Sequence, residues 1–275
     1  MQKAGLVMRR LRLEPRKRLF GSDPGNHGTR FLGEGYDFAE LRPYTLDDDV
    51  RHIDWMVTAK LGVPFVKRYY EEHALDVTLV MLPGPGLLFG RDRSRQEAMA
   101  EAARLLAQSA VAGGDRVGMT LCLGERVKEV PLSGRHTAWE RIEALAMDPA
   151  AVQGYQTASN LEAVARKLSR PSLLFLLGDF MTLPTLPAAL RPHDLTALVF
   201  QDPLERDLPP LGLSSFPGNR SGWIGNKSAK RYNAALKAHD EALDALFVRN
   251  GVRKITIDIS GDIYRQLAVA LERRG

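Results

Sequence analysis

The chain holds a single cysteine, Cys122. An internal disulfide and any cysteine-based zinc site are therefore excluded, and within GMTLCLG the expected role is that of a small buried hydrophobe. No apolar run approaches the roughly 20 residues needed to span a bilayer. The opening MQKAGLVMRRLRLEPRKR sets arginines where the apolar core of a secretion signal would lie, so a cytoplasmic chain is expected. The 6 histidines are scattered with no pair at ligand spacing, and neither Gly-x-Ser-x-Gly nor a Cys–His arrangement supplies a nucleophile. The chain reads as a non-enzyme, with no catalytic residue, metal or cofactor assigned. Aromatic residues make up only 7% of the sequence, and none interleaves with the basic residues near the start as base-stacking platforms would. A nucleic-acid partner is not expected.

What the sequence does contain is enough apolar material for a sizeable core: 275 residues, 44% hydrophobic, suit one large domain with an elaboration or two modest ones. Lys and Arg number 38 against 33 Asp and Glu, giving a pI near 9.4. Part of the excess lies in Arg9, Arg10, Arg12, Arg16, Lys17 and Arg18. A solvated or partner-covering arm over residues 1–20 is the favoured reading; proximity to an anionic membrane is the other.

Residues 21–75 are punctuated by Gly and Pro and carry short β-like pieces such as PFVKRYY, which predicts a β-rich entry module. From 76 to 275 strands alternate with amphipathic helices. Strands are expected at 76–82, 116–123, 127–132, 172–177, 195–201 and 254–259, and helices at 95–112, 136–147, 161–168, 229–249 and 263–273. Such alternation predicts an α/β domain: an open, mainly parallel sheet with helices on both faces. The short link Gly124-Glu125-Arg126 makes the second and third of these strands a hairpin, so one edge of the sheet is antiparallel. Residues 203–225 read as a long irregular connection.

The first core strand, DVTLVML, stops in Pro83-Gly84-Pro85-Gly86. This turn only superficially resembles a dinucleotide fingerprint, because the capping-box pattern Ser94-Arg95-Gln96-Glu97 starts the helix about eight residues after the glycines. No Lys-Ser or Lys-Thr follows, which excludes a P-loop. Pro83 and Pro85 fix φ, while Gly84 and Gly86 can take positive φ, so that the turn can hold one shape without a cation to organise it. In the acidic stretch Asp47-Asp48-Asp49 with Asp54, the neighbouring Arg42 and Arg51 predict ion pairs that fasten the segment, with Arg51 buried and paired to Asp37, Asp48 or Asp54. Phe38, Tyr44 and Trp55 are expected to anchor the module by burial.

The segment GEGYDFAELRPYTLDDDVRHIDW closely resembles the signature of the bacterial and archaeal family called domain of unknown function 58. The matching positions are Gly35, Asp37, Phe38, Leu41, Arg42, Tyr44, Asp48, Asp49, Arg51, Ile53, Asp54 and Trp55; Leu46 and Asp47 depart from the usual Pro-Gly. Gly114-Asp115-Arg116-Val117-Gly118, Gly178-Asp179-Phe180 and Asp202-Pro203-x-Glu205 continue the likeness. The resemblance implies a von Willebrand factor A-like α/β domain behind the entry module. In such domains the first strand ends in Asp-x-Ser-x-Ser, whose oxygens bind a divalent cation with a later Thr and Asp. Here Leu82, Gly84 and Gly86 stand at the first three ligand positions, Ser159 near the Thr and Asp179 at the Asp, so the metal site looks dismantled. The resemblance further implies a scaffold that partners a MoxR-type AAA+ ATPase in maturing another complex, such as a metal-dependent dehydrogenase. Pro83, Gly84, Pro85, Gly86, Leu87 and Leu88 are then the expected protein-binding turn. A phosphate-binding enzyme using Gly84 to Gly90, or a metal-dependent adhesion-type module with a cation at Asp179, are the alternatives.

Overall fold

The computed structural model describes residues 10–16, 31–33, 37–46, 48–71, 74–90, 93–124, 126–154, 161–206, 212–216 and 220–272. Expectations for Gly35, Asp47, Ser159, Arg9, Lys17 and Arg18 lie outside them. The chain divides into two compact units, one spanning Phe20–Ala74 and the other joining Met1–Leu19 to Leu75–Gly275.

In the smaller unit, β1 (Phe31–Gly33), β2 (Asp37–Pro43) and β3 (Phe65–Glu71) form an antiparallel sheet in the order β1-β3-β2. Helix α1 (Trp55–Leu61) interrupts the expected run of β structure. Its start is written in Asp54, whose carboxylate accepts from the Met56 and Val57 amides, and its end in Gly62, which takes φ +73 in the left-handed region. The other signature carboxylates act just as locally. Asp48 closes a turn by accepting from the Thr45 amide and hydroxyl and from Arg42, and Asp49 caps the 3-10 turn Val50–His52. Arg51 pairs with this same Asp49 and its side chain is 78% exposed, so it is not the buried arginine expected; Asp54 pairs with Lys67. The motif secures turns and helix ends within the module. Trp55, expected to be buried, is 68% exposed at the first position of α1, and Tyr44 is half-buried.

The larger unit is built on a sheet of 6 strands: β4 (Asp76–Leu82), β5 (Arg116–Leu123), β6 (Arg126–Ser133), β7 (Leu173–Gly178), β8 (Asp194–Gln201) and, last in the chain, β11 (Arg253–Asp258). The order is β11-β8-β7-β4-β5-β6, parallel throughout except for the β5–β6 hairpin, as expected. β4 and β7 are buried along their whole length, which explains why they read as unbroken apolar runs; edge strand β6 is mostly exposed or half-buried. The helices are α2 (Arg95–Ala112), α3 (Ala138–Ala146), α4 (Ala150–Gly154), α5 (Leu161–Ala165), α6 (Pro203–Arg206), α7 (Asn226–Arg249) and α8 (Ile263–Glu272). Alternation along the strands sends Val80, Leu82, Leu174, Leu176, Ala197 and Val199 to one face, where Leu161 and Val164 of α5 and Leu243 and Phe247 of α7 cover them. Val77, Leu79, Met81, Phe175 and Leu198 have the opposite parity and are equally buried. Helix α2 touches β4, β5, α3 and α8. The stretch expected to be irregular, 203–225, holds α6 and a hairpin of β9 (Gly212–Phe216) and β10 (Arg220–Ile224); small and polar residues conceal these strands from an apolar-pattern reading. Among the described residues no helix is long and apolar enough to cross a membrane.

The N-terminal edge of the sheet is fastened by charge. Asp76 opens β4 and receives Arg116 and Arg170; burial alone would push its carboxyl up, but the hydrogen bonds from Arg170 and Arg116 outweigh it and hold it below the ordinary value. Asp194 opens β8 and receives Arg16, whose guanidinium also donates to the Leu195 carbonyl at 2.9 Å. Residues 10–16 of the basic arm therefore dock on this unit, with Leu11 buried and its amide donating to Ser109 Oγ at 2.9 Å.

Candidate functional site

At the opposite edge, the strand order β8-β7-β4 brings the segments that follow three adjacent parallel strands together, the usual location of binding sites in open α/β sheets. After β4 the chain turns through residues 85–88, with Leu87 and Phe89 amides donating to the Gly84 and Gly86 carbonyls at 3.2 and 2.9 Å. The start of α2 is closed by the chain's own groups. The Arg95 amide donates to Phe89 O, Gln96 to Leu87 O, Glu97 to Ser94 Oγ and Ala98 to Ser94 O. Phosphate binding at a helix start needs those amides free, so the arrangement gives no support to a phosphate cradle.

Gly84 and Gly86 are free to take positive φ, and neither uses that freedom. Their requirement is for space. A Cβ added at Gly84 would overlap the Asp179 carboxylate, and one at Gly86 would overlap Arg95 Nη1 and lie 3.4 Å from Asp179 Oδ2. The two glycines thus make room for an anion and a cation that belong to other parts of the fold.

That cation is the unrecognised centre of the site. Arg95, the first residue of α2, is only 1% exposed. Its Nη1 donates to Gly86 O at 2.7 Å and lies 3.4 Å from Asp179 Oδ2, while Nη2 donates to Glu205 Oε2. The Nε atom is buried and has no hydrogen-bond acceptor among the described residues. Asp179 is buried beside it, accepting from the Gly86 amide at 3.3 Å and the Met181 amide at 3.1 Å. Glu205, 18% exposed on the side chain, also accepts from the Asp202 amide at 3.2 Å. Tyr232 of α7 adjoins this group, its hydroxyl pushed above the ordinary pKa by burial and by the Glu205 charge. Phe180 has φ 51, a left-handed conformation that costs a bulky residue of order 1 kcal/mol or more. Packing holds it there: its ring meets Phe247 edge-on at 5.4 Å, and its carbonyl is 2.7 Å from His239 Nε2.

Leu82 is buried in the apolar core and Ser159 lies outside the described residues. Among the described residues no group of three His, Cys, Asp or Glu side chains could hold a metal ion. The described residues do not compose a site for a hard divalent cation. Asp179 supplies one carboxylate, and a guanidinium already faces it. Of the turn expected to contact a protein, Pro83, Gly84 and Leu87 point inward, whereas Pro85 and Leu88 are exposed. Leu88 is 60% exposed, and Phe89, Met181 and Leu183 join it as exposed apolar residues on the two loops that meet at Asp179. Glu205 was legible as part of a motif but without a role. Arg95 escaped notice, although a cation in the first turn of a helix opposes the helix dipole and so calls for carboxylates nearby.

The fold and the site define an α/β protein whose sheet edge is organised by an internal guanidinium between two carboxylates. Residues 40–245 match the family described as "Protein of unknown function DUF58", and the chain belongs to it. Uncharacterized proteins of Mycobacterium tuberculosis and Mycobacterium bovis are each 30% identical over 220 residues, covering 76% of this chain and 69% of theirs. Among solved structures, the chain is similar to a conserved hypothetical protein, BatB, from Bacteroides thetaiotaomicron, with a TM-score of 0.44 and 10% identity over 72% of this chain and 96% of that one. A pilus adhesin, SpaC from Lactobacillus rhamnosus GG, gives a TM-score of 0.31 and 12% identity over 68% and 24%.

Proposed function

We propose that this protein is a non-enzymatic adaptor with a von Willebrand factor A-like domain whose metal site has been replaced, and that it binds a protein partner through the C-terminal edge of its sheet. The observation that carries the reading is the placement of Arg95. Its guanidinium fills the space beside Gly86 and faces Asp179, so the loops after β4, β7 and β8 are held together by a charge that belongs to the chain. A divalent cation entering there would meet a like charge. Leu88, Phe89, Met181 and Leu183 then give the edge an apolar rim, the kind of exposed surface that marks protein contact sites. Residues 10–16 pack at the opposite edge.

The family resemblance supplies the partner, a MoxR-type AAA+ ATPase, and the process, maturation of another complex such as a metal-dependent dehydrogenase. The test is capture of the MoxR-type ATPase of the same genome by the tagged chain, compared with Leu88→Arg and Met181→Arg variants that melt at the wild-type temperature. Loss of capture in both supports the reading. Wild-type capture by both refutes the proposed surface.

A further inference from the structure

The side of a guanidinium that carries Nε and Nη2 presents two N–H donors side by side, the geometry that grips both oxygens of one carboxylate. On Arg95 this edge is half used. Glu205 Oε2 accepts from Nη2, and Nε, buried, has no acceptor among the described residues. A buried donor without a partner is costly, and here it points to a better acceptor than the one in place. The other side of the guanidinium is committed, since Nη1 donates to Gly86 O and faces Asp179.

From this we infer that Glu205 is a placeholder, and that the site takes a carboxylate from the protein partner. An acidic side chain flanked by apolar residues engages both Nε and Nη2 of Arg95 while Glu205 swings out into water. The inference rests on the C-terminal edge being the docking face and names the chemistry that face recognises. Exchange rather than addition is required, because a third carboxylate beside Asp179 and Glu205 would leave an uncompensated buried charge. Glu205 is suited to leaving. It lies on the four-residue helix α6, its side chain is partly exposed and it accepts from one amide, that of Asp202, whereas Asp179 is buried and fixed by two, those of Gly86 and Met181. Leu88 and Met181 supply the apolar collar for the residues on either side of the incoming acid.

The experiment uses the full chain and two synthetic peptides, acetyl-Leu-Leu-Glu-Leu-Leu-amide and its Gln counterpart. Binding is read by titration and by the nitrogen-15 resonance of the Arg95 Nε–H. Glu205→Ala, which empties the fork, is expected to bind the Glu peptide at least about tenfold more tightly than the Gln peptide, with a saturable shift of the Nε–H signal. Wild type binds the Glu peptide more weakly than Glu205→Ala does, because it must first release its own carboxylate. Arg95→Lys in the Glu205→Ala background keeps the charge without the fork and loses the preference. Should that double variant fail to fold, Glu205→Gln, which keeps the side chain's size without its charge, must reproduce the preference. Equal binding of the two peptides by Glu205→Ala, or a preference that survives Arg95→Lys, overturns the inference. If this happens while Leu88→Arg and Met181→Arg still abolish partner capture, the docking face stands and only its acid specificity falls.

Discussion

Replacing Gly84 by Ala isolates the reason for the Pro-Gly turn. Because φ at Gly84 is not positive, alanine meets no backbone penalty there, and the loss of unfolded-state freedom alone would stabilise the protein by about 0.4–1 kcal/mol. Any destabilisation must come from the new methyl group. That group overlaps the Asp179 carboxylate, which is buried and has no water to retreat into. Displacing it strips away the Gly86 and Met181 amides and separates the carboxylate from Arg95, leaving two buried charges poorly compensated. The expected cost is about 3–5 kcal/mol. Urea denaturation followed by far-ultraviolet circular dichroism measures it, and a double-mutant cycle assigns it. In an Asp179→Ala background the carboxylate is gone, so Gly84→Ala should become nearly neutral, with a coupling of at least about 2 kcal/mol. A Gly84→Ala protein within about 0.5 kcal/mol of wild type, or strictly additive costs, would refute the view that this glycine exists to admit Asp179.

Arg51→Ala should leave the denaturation midpoint unchanged, because its side chain lies largely in solvent; a clear drop would show that the signature arginine is structural. Arg16→Ala should cost about 1.5–3 kcal/mol by taking the guanidinium away from the buried Asp194, which keeps the residue-16 amide as a donor, and an unchanged midpoint would mean that the arm's charge does not fasten the N-terminal edge. Burial pushes the Asp115 carboxyl up, so its charge is penalised in the folded protein above that raised value and the penalty fades as pH falls through it. Asp115→Asn keeps an acceptor for the Leu75 amide and should therefore raise the melting temperature at neutral pH, with the advantage vanishing on acidification; a constant difference across pH would contradict the assignment. Cys122, its thiol pushed up to about 12 by burial, should react with a disulfide reagent at mildly alkaline pH only after unfolding, and rapid labelling of the folded chain would place it at the surface.

Legibility followed the range of the interactions. β4 and α2 have the bounds their sequences announce, because an unbroken apolar run fixes one and the Ser94–Glu97 capping box fixes the other. The β5–β6 hairpin was equally plain, being set by a short glycine link with Gly124 at φ +68. The hairpin of β9 and β10 was not, since Gly-Leu-Ser-Ser-Phe and Arg-Ser-Gly-Trp-Ile carry too little apolar alternation to separate strand from loop. Burial was misjudged where a large side chain suggested it: Trp55 begins a seven-residue helix with no buried residue and is itself 68% exposed. Arg51 was expected to be buried, but its side chain stays in solvent beside Asp49, the residue that caps its own 3-10 turn.

The turn after β4 was read through the conformational freedom of its glycines, whereas what the fold uses is the room they leave. Conformational freedom is local and can be read from a turn's own residues. Room for another group depends on residues brought in by the fold, and Asp179 is 93 residues away from Gly86. Arg95 shows how part of that non-local chemistry can still be inferred. A positive charge in the first turn of α2 is repelled by the amides around it, so it survives only where carboxylates offset both the dipole and the loss of water. The candidates for that task are acids at the ends of neighbouring strands, because a parallel sheet delivers those ends to one edge. Asp179 follows β7 and Glu205 follows β8, the two strands that come next beside β4. A buried arginine opening a helix after the first strand therefore implies the acids after the next two. The glycines between strand and helix are the space that lets the charges meet.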